Sequence, residues 1–395
     1  MGIPTGTPGT PPISIGLVST YPPTQCGLAT FTAALAQHLA ELPGTSGVGV
    51  VRVVDRPRPR PAPEVVGELV EDAPASTHDV LRLLRRHDVV VLQHEYGIFG
   101  GPDGRDVLDL VEALDVPLVT VLHTVLERPS DSQREILLRV VAASAHVVTM
   151  TWTAHDRLLS VYGTDPAHVS VVPHGAADHR ATGPAVRAAL PRDRRPTVLT
   201  WGLLGPGKGI EWAVEAMPSL RDLAPRYLVL GKTHPKVLEH AGDVYRESLV
   251  ARAAERGVGD LVEFDASYLS VPELARVVAA ADVVLLPYDS TEQVTSGVLI
   301  EAVAAGRPVV STGFPHAVEL LGDGTGLLVP REDPAAIAAA LRRVLTEPGL
   351  ASRMTALAEA RAPELVWPSV AARYAAIGRS VLAARPVSHP LEAAS

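Results

Sequence analysis

The stretch TEQVTSGVLIEAVAAGRPVVST, residues 291–312, predicts a loop, a helix, a glycine stop and a strand in direct succession. Ser296 suits the N-cap position, Gly297 opens the helix, and Gly306 stands where a helix end favours a left-handed residue. The apolar run ADVVLLP at 281–287 precedes the stretch and predicts a buried strand. Because a helix start leaves backbone N–H groups without partners, an anion can bind just beyond that strand. We therefore expect an α/β fold with an anion site at this helix start.

Glu301 adds a possible sugar contact to this helix. It lies four residues after Gly297, so the two residues share one face, and its side chain leans back toward the helix start. A carboxylate there can accept both hydroxyls of a ribose whose phosphates lie at the N–H groups, much as dinucleotide-binding folds use an acidic residue. Taken alone, the pattern is equally typical of a surface glutamate on an ordinary capped helix.

Length and composition exclude several classes of protein. At 395 residues the chain fits two domains rather than one compact core, and its 47% apolar residues predict an aliphatic interior. The net charge of −9 argues against nucleic acid as a partner. The single cysteine, Cys26, excludes an internal disulfide framework and a cysteine-based zinc site. The histidines are too dispersed to predict a metal site of another kind.

The N-terminus and the hydropathy pattern bear on location. Residues 1–12 have neither the basic nor the apolar region of a signal peptide, so we expect a disordered lead. No run approaches about 20 consecutive apolar residues, which predicts no transmembrane span. A cytoplasmic protein is the expectation, with peripheral contact to a membrane left open.

Strand and helix patterns alternate in two successive runs. The first run starts with an apolar strand at 13–19 and the second at 197–200, after the charged, proline-bracketed PRDRRP at 191–196. Such alternation predicts two doubly wound, Rossmann-like domains that face a cleft, with ligands at the carboxyl ends of the strands. We expect the first domain at 13–190, the second at 191–365 and a helical tail at 366–395. Between the first helix and residue 78, the pattern predicts only a surface connection at 57–63. In the second half it predicts a helix at 210–220 and a loop at 231–236, and Trp367-Pro368 should kink or break the helical tail.

The loops that follow the predicted strands carry the candidate functional residues. Gly27 lets the backbone approach a phosphate closely. Lys208 opens a helix, where a lysine opposes the dipole unless an anion lies beside it. His123 stands directly at a strand end and can hydrogen-bond a sugar hydroxyl or accept a proton, while His94 and Glu95 lie in the corresponding loop of the previous strand. His174 and His234 also follow strands, but structural or peripheral roles are favoured for both.

Together these segments resemble the family 4 retaining glycosyltransferases of the two-Rossmann-domain (GT-B) type, across about residues 13 to 380. The resemblance is carried by STYPPTQCGLATF, the strand end at His123, VVPHG, GLLGPGKG, ADVVLLPY and TSGVLIEAVAAGRPVVST. It implies a metal-independent enzyme without a cofactor that moves a hexosyl unit from a nucleotide diphosphate sugar, of the GDP-mannose or UDP-hexose type. A carbohydrate or small-molecule hydroxyl in the first domain would accept it, and the tail would cross back to that domain.

The resemblance also implies roles for individual residues. Glu301 would hold the nucleotide ribose, Lys208 would neutralise the leaving diphosphate, and His123 would touch the donor sugar near the reacting carbon. The catalytic candidates are His123, Lys208 and Gln293. The nucleotide-binding candidates are Gly27, Gly202, Lys208, Ser296, Gly297, Val298, Leu299 and Glu301. The acceptor-binding or sugar-binding candidates are Tyr21, Gln25, His94 and Glu95.

Two positions depart from the family pattern. Members commonly carry two glutamates separated by seven residues, and the earlier position here is Gln293, which cannot stabilise a developing positive charge. The usual arginine–lysine pair reads Leu203 and Lys208. Three residues are candidates for the missing charge: Arg246, Lys232 and Arg180. Two alternatives stay open, a retaining phosphorylase that uses inorganic phosphate and a non-catalytic nucleotide or sugar sensor. An inverting transferase or an epimerase is disfavoured.

Overall fold

The computed structural model describes residues 11–59, 62–71, 73–179, 183–191 and 194–384, which form two α/β halves. Each half contains one sheet whose strands are all parallel. Successive residues of the central strands join apolar clusters on opposite faces, as Leu17 and Val18 of the first strand do. Both sheets are therefore covered on both sides, which is typical of doubly wound folds. None of the described helices combines the length and hydropathy that a bilayer crossing needs.

The first half contains a seven-stranded sheet in the order β3-β2-β1-β4-β5-β6-β7. Its strands are β1 (Ile13–Ser19), β2 (Thr45–Val54), β3 (Val65–Val70), β4 (Val89–His94), β5 (Leu118–Leu122), β6 (His146–Thr149) and β7 (Val169–Val171). Its helices are α1 (Gly27–Glu41), α2 (Pro74–Leu84), α3 (Val107–Ala113), α4 (Asp131–Ala143) and α5 (Trp152–Tyr162).

The second half contains a six-stranded sheet in the order β10-β9-β8-β11-β12-β13. Its strands are β8 (Thr197–Trp201), β9 (Arg226–Leu230), β10 (Val262–Asp265), β11 (Val283–Leu286), β12 (Val309–Thr312) and β13 (Gly326–Val329). The helices from the linker onward are α6 (Gly183–Ala188), α7 (Ile210–Ala216), α8 (Pro235–Ala241), α9 (Val244–Glu255), α10 (Val271–Ala280), α11 (Gly297–Ala304), α12 (Pro315–Leu321), α13 (Pro334–Thr346), α14 (Leu350–Leu365) and α15 (Trp367–Ala383).

Both sheets reverse their strand order at one point, between β1 and β4 in the first half and between β8 and β11 in the second. A crevice opens at the carboxyl ends of the strands where the order reverses, and ligands of open α/β sheets bind there. The loops after these four strands therefore form the natural ligand-binding region. The fold confirms the prediction of two doubly wound units.

The sequence prediction was wrong between residues 43 and 78, where it contained no strand. β2 was not predicted because Gly47, Gly49 and Arg52 interrupt its apolar pattern. Arg52 is nevertheless fully buried, because its guanidinium pairs with Glu68 on β3 and donates to the Pro59 carbonyl at 3.1 Å. A paired arginine thus takes an interior strand position that its residue type alone argues against.

Other differences are smaller and have local causes. The helix predicted at 210–220 ends at Ala216 and continues as a 3₁₀ segment, because Pro218 cannot extend it. The loop predicted at 231–236 already contains the start of α8, and α6 and α12 were not predicted. Residues 1–10 of the predicted disordered lead lie outside the described residues. The predicted break near Trp367-Pro368 is confirmed at Val366.

The chain passes between the halves twice, and the two passages pair with each other. The Ala176 N–H donates to the Leu365 carbonyl at 2.8 Å, and the Trp367 N–H donates to the Ala176 carbonyl at 3.0 Å. Beyond this pairing, α15 packs on the first half, where Trp367 and Tyr374 join the core around β1. Residues 174–179, which we call the crossing segment, are therefore held between both halves and the C-terminal helix.

Gly175 allows this close packing, and its replacement tests it. A Cβ atom on Gly175 would lie 2.2 Å from the Trp367 ring, which no real contact allows. We expect Gly175→Ala to lower the free energy of unfolding by about 1–3 kcal/mol, measured by urea unfolding. Gly47→Ala is the matched control, because a Cβ there meets no atom within 4 Å. Equal unfolding midpoints for the two variants would contradict the proposed constraint.

Candidate active site

Side chains connect the two halves at the carboxyl ends of their strands, and each contact includes one loop next to a strand reversal. The Lys236 ammonium, at the start of α8, donates to the Gly97 carbonyl in the loop after β4 at 3.0 Å. On another side, the Arg157 guanidinium of α5 lies 3.1 Å from a carboxylate oxygen of Glu292, in the loop after β11. These contacts hold the carboxyl ends of the two sheets opposite each other, the arrangement for which the sequence predicted a cleft.

The start of α11 presents two free backbone donors to this cleft. Ser296 caps the helix, since its hydroxyl accepts the Leu299 N–H at 3.3 Å. The Ser296 N–H donates to Nδ1 of His316 at 2.8 Å. Among the described residues, the N–H groups of Gly297 and Val298 have no acceptor. Of the four residues predicted to meet phosphates through their amides, two are thus already bonded and two are available.

His316 was not singled out from the sequence, although it orients this helix start. Its Nδ1 accepts the Ser296 proton, so the neutral ring carries its own proton on Nε2. Burial, together with a smaller contribution from nearby His174, lowers the pKa of His316 to about 3. The ring is therefore an uncharged acceptor at neutral pH. Its place at the second residue of α12, a helix the pattern did not predict, left no periodic signal for it.

Gly297 has a second role besides opening the helix. A Cβ atom on it would lie 2.9 Å from two ring atoms of His174, so only glycine admits this histidine. The His174 ring also packs edge-on against Phe31 of α1, with ring centroids 4.9 Å apart. His174 therefore joins the first half to the start of α11, a more central position than the sequence predicted.

His123 packs against the same phenylalanine and is held by a buried glutamine. Its ring centroid lies 5.0 Å from that of Phe31, and its Nε2 lies 2.7 Å from Oε1 of Gln93. Burial, together with smaller contributions from His174 and His94, lowers the pKa of His123 to about 3. The imidazole is consequently neutral, and with this amide orientation it donates to Gln93 through Nε2. Gln93 itself was not predicted as a site residue.

Glu301 lies where the prediction placed it, one turn into α11. Both of its carboxylate oxygens approach the Ala177 N–H, at 3.2 and 3.4 Å, and one lies 3.1 Å from Nε2 of His179. Its side chain is 26% exposed, whereas that of His179 is 4% exposed. The carboxylate thus faces the cleft while the crossing segment supports it from behind.

Lys208 lies over an aromatic ring at the floor of the cleft. Its ammonium is 4.3 Å from the ring centroid of Tyr288, a cation–π contact. Its loop packs closely on the end of β11, since a Cβ on Gly209 would lie 1.8 Å from the Pro287 carbonyl oxygen. The Asp289 N–H also donates to the Gly207 carbonyl at 3.0 Å. These contacts fix Lys208 beside the loop that leads to α11.

The remaining nucleotide-side candidates differ in how they are placed. Gln293 donates through its side-chain amide to the Thr295 carbonyl at 3.0 Å, so part of its hydrogen-bonding capacity stabilises its own loop. Gly202 has a φ of +123° and lies against Gly231. Gly27 has open space around it at the start of α1. Its neighbour Cys26 caps that helix, because the thiol accepts the Ala29 N–H at 3.4 Å.

The acceptor-side candidates also separate. Tyr21 is buried, and its hydroxyl donates its proton to Glu64 at 2.5 Å, so only the hydroxyl oxygen can still accept a hydrogen bond. Gln25 is half-buried in the loop before α1. Glu95 is bonded by the Thr124 hydroxyl, and burial raises the pKa of its carboxyl group. His94 is almost fully buried, and neither ring nitrogen has a partner among the described residues.

The candidates for a second positive charge are likewise distinct. Arg246 donates to the Gly231 carbonyl at 2.6 Å, and Lys232 is exposed. Arg180 lies outside the described residues. Lys236, which was not predicted, is the lysine that crosses to the loop after β4.

Comparison with known proteins relates both halves to one family. Residues 26–180 match the model described as Glycosyltransferase Family 4, and residues 195–347 match the model described as Glycosyl transferases group 1. The D-inositol 3-phosphate glycosyltransferase of Kineococcus radiotolerans is 31% identical over 341 residues, which make up 78% of this chain and 75% of that protein. This chain belongs to glycosyltransferase family 4.

Two further comparisons bear on this family 4 glycosyltransferase. The D-inositol 3-phosphate glycosyltransferase of Acidothermus cellulolyticus is 33% identical over 295 residues, which make up 68% of this chain but only 63% of that protein. HepE from Anabaena, solved in complex with UDP and glucose, has a TM-score of 0.72 at 15% identity, over 93% of this chain and 100% of the HepE chain. The chain therefore has the GT-B fold.

The buried histidines of the glycosyltransferase predict an acid-sensitive fold. The pKa of His316 is 6.5 in the unfolded chain and about 3 in the folded protein. Between these two pH values His316 is protonated in the unfolded chain but stays neutral in the folded protein. Stability is therefore lost as the pH falls from 6.5, by up to about 1.4 kcal/mol per pH unit for this ring. We expect a smaller loss for His316→Asn, whose amide oxygen can accept the Ser296 N–H but does not titrate. Urea unfolding at pH 7, 6 and 5 measures the difference, and parallel pH curves would contradict it.

Proposed function

We propose that this glycosyltransferase moves a hexosyl unit from a nucleotide diphosphate sugar to an acceptor hydroxyl, with retention of configuration and without a metal ion. One observation carries the proposal. The carboxylate of Glu301 and the free N–H groups of Gly297 and Val298 lie within one turn of α11, beside the loop of Lys208. Carboxylate, amides and ammonium are the groups that a ribose and a diphosphate require.

The spacing along α11 supports a nucleotide in this position. Gly297 and Glu301 are four residues apart, which is about 6 Å along a helix. A nucleotide whose ribose hydroxyls bond to Glu301 would bring its diphosphate to the helix start. The free N–H groups and the positive end of the helix dipole favour an anion there. The UDP bound to HepE, a protein of the same fold, is consistent with this use of the cleft.

Charge placement then supports a mechanism. Cleavage of the bond between the anomeric carbon and the phosphate oxygen develops negative charge on the diphosphate. Lys208 and the α11 amides stabilise that charge, an electrostatic contribution that takes the place of a metal ion. The acceptor oxygen bonds to the anomeric carbon on the same face, and its proton passes to the departing phosphate oxygen. Nucleoside diphosphate leaves as the second product.

The state of His123 supports the phosphate as the base. A side chain with a pKa of about 3 is a poor proton acceptor at neutral pH. His123 is therefore suited to hydrogen-bond the transferred sugar, with Gln93 fixing its ring. The acceptor, a carbohydrate or another small molecule, would bind in the first half near Glu95 and the loop after β4.

Ligand-dependent stabilisation tests the donor class. UDP, GDP, ADP and their hexose conjugates would each be added in a thermal-shift series, because a ligand at 100 times its Kd stabilises the folded state by about 2.7 kcal/mol. We expect one nucleoside diphosphate series to raise Tm, and the matching sugar nucleotide to be hydrolysed slowly or transferred. Sugar 1-phosphate release from a disaccharide and inorganic phosphate, without a nucleotide, would instead identify a phosphorylase.

Glu301→Ala tests the ribose contact. We expect kcat/KM for the donor to fall by about ten- to a hundredfold, which corresponds to ~1.5–3 kcal/mol for a charged hydrogen bond. Glu364→Ala is the control, because Glu364 is an exposed glutamate on α14. Unchanged donor kinetics in Glu301→Ala would remove Glu301 from the nucleotide site.

Lys208→Ala tests the stabilisation of the leaving group. We expect kcat to fall by about 10²–10³, as when a positioned oxyanion donor is lost, while KM for the donor changes less. Arg82→Ala removes an exposed positive charge on α2, outside the candidate site, and should leave kcat unchanged. Steady-state kinetics of both variants make the comparison, and a Lys208→Ala enzyme with the wild-type kcat would refute the assignment.

A further inference from the structure

We propose that His179 is a positioning residue for nucleotide recognition, which holds the Glu301 carboxylate in the orientation that meets both ribose hydroxyls. The inference rests on the proposed function of Glu301 and adds a residue that no sequence pattern indicated. His179 does not contact the reacting atoms. Its effect passes through the carboxylate and is expected in ribose selectivity rather than in chemistry.

The contacts of Glu301 leave room for a ligand. The Ala177 N–H is shared between both carboxylate oxygens at 3.2 and 3.4 Å, and Nε2 of His179 lies 3.1 Å from Oε2. An ionised carboxylate offers about four lone-pair positions. The two donors from the crossing segment make three contacts with these positions, and the one from the Ala177 N–H to Oε2 is the longest, at 3.4 Å. With the Ala177 N–H bonded to Oε1 alone and His179 to Oε2, one position on each oxygen is open for the two ribose hydroxyls.

The exposed fractions of the two side chains show that the ligand would contact Glu301 rather than His179. His179 is 4% exposed and Glu301 is 26% exposed, so the histidine supports the carboxylate from the protein side. A carboxylate only accepts hydrogen bonds, which requires the proton of His179 to be on Nε2. The backbone of His179 is itself fixed, because its carbonyl accepts the Gly183 N–H at the start of α6 at 2.8 Å. The ring is thus a pre-organised donor with few torsions to restrict.

The crossing segment contacts α11 at two points that lie one turn apart. His174 packs against Gly297, whereas Ala177 and His179 bond to Glu301 one turn later. Between these contacts, Ala176 pairs with the C-terminal passage at Val366. The crossing segment therefore packs against the part of α11 that would bind ribose and phosphate. His179 is the buried polar side chain that bonds the segment to this part of the helix.

Binding of defined nucleotides tests the role of His179 independently of any acceptor. The probes are UDP and GDP, each with its 2′-deoxy and 3′-deoxy counterpart, with Kd measured by calorimetry for whichever base the wild type binds. We expect the wild type to prefer the ribonucleotide by about tenfold or more, since a site built around a hydroxyl leaves its carboxylate unpaired without it. The measured quantity is the ratio of the deoxy to the ribo Kd.

Two amide variants form the matched pair. In His179→Gln the terminal nitrogen reaches the position of Nε2, whereas in His179→Asn it is one methylene short. We expect His179→Gln to keep the wild-type ratio of the deoxy to the ribo Kd. We expect His179→Asn to lower this ratio at least fivefold, toward the value for Glu301→Ala. Adding His179→Asn to Glu301→Ala should leave that ratio unchanged, because the two residues act as one unit. Circular dichroism and thermal melting establish that each variant is folded.

The outcomes separate this inference from the proposed function. A wild type that binds ribo and deoxy nucleotides equally overturns the ribose role of Glu301 and, with it, the role of His179. A wild type that discriminates, together with a His179→Asn variant that discriminates equally well, overturns only the positioning role. Loss of affinity for all nucleotides alike, with the ratio unchanged, also overturns it, since that result reports general damage to the site.

Discussion

The hydrogen bonds between the crossing segment and the Glu301 carboxylate are the constraint on which the arrangement of this glycosyltransferase depends. They join the passage between the halves to the helix that carries the free N–H groups. The crossing segment also pairs with Val366 and packs against Trp367, so it fixes the start of the C-terminal helix α15 as well. A ligand on Glu301 would therefore bind to the element that sets the relative position of the two domains.

A second set of contacts holds the halves together away from the crossing segment. The Glu319 carboxylate of α12 accepts the N–H groups of Trp152 and Thr153, each at 2.9 Å, at the start of α5. A carboxylate from one half thus complements the helix dipole of the other. Val294, in the loop after β11, is buried in an apolar cluster of the first half. The loop that precedes α11 is consequently ordered by both domains, as expected of a site that must exclude water.

The sequence predicted what depends on short-range pattern and missed what depends on tertiary pairing. Glycine and serine chemistry was enough to locate the start of α11 and the left-handed Gly306, which has a φ of +65°. Strand β2 was missed because the charge of Arg52 is cancelled by a residue sixteen positions away. His179 and His316 were missed for the same reason, since their partners Glu301 and Ser296 are distant in sequence. For Tyr21, only the fold shows that its hydroxyl donates to Glu64, a partner that is also distant in sequence.

The two departures from the family pattern have opposite signs. Leu203 replaces a positive charge and Gln293 replaces a negative one, so the site loses one charge of each kind and its net charge is unchanged. The side-chain amide of the neutral Gln293 donates to the Thr295 carbonyl, which stabilises the loop before α11. With one charge of each kind absent, the proposed mechanism depends on Lys208, held over Tyr288, to meet the leaving group.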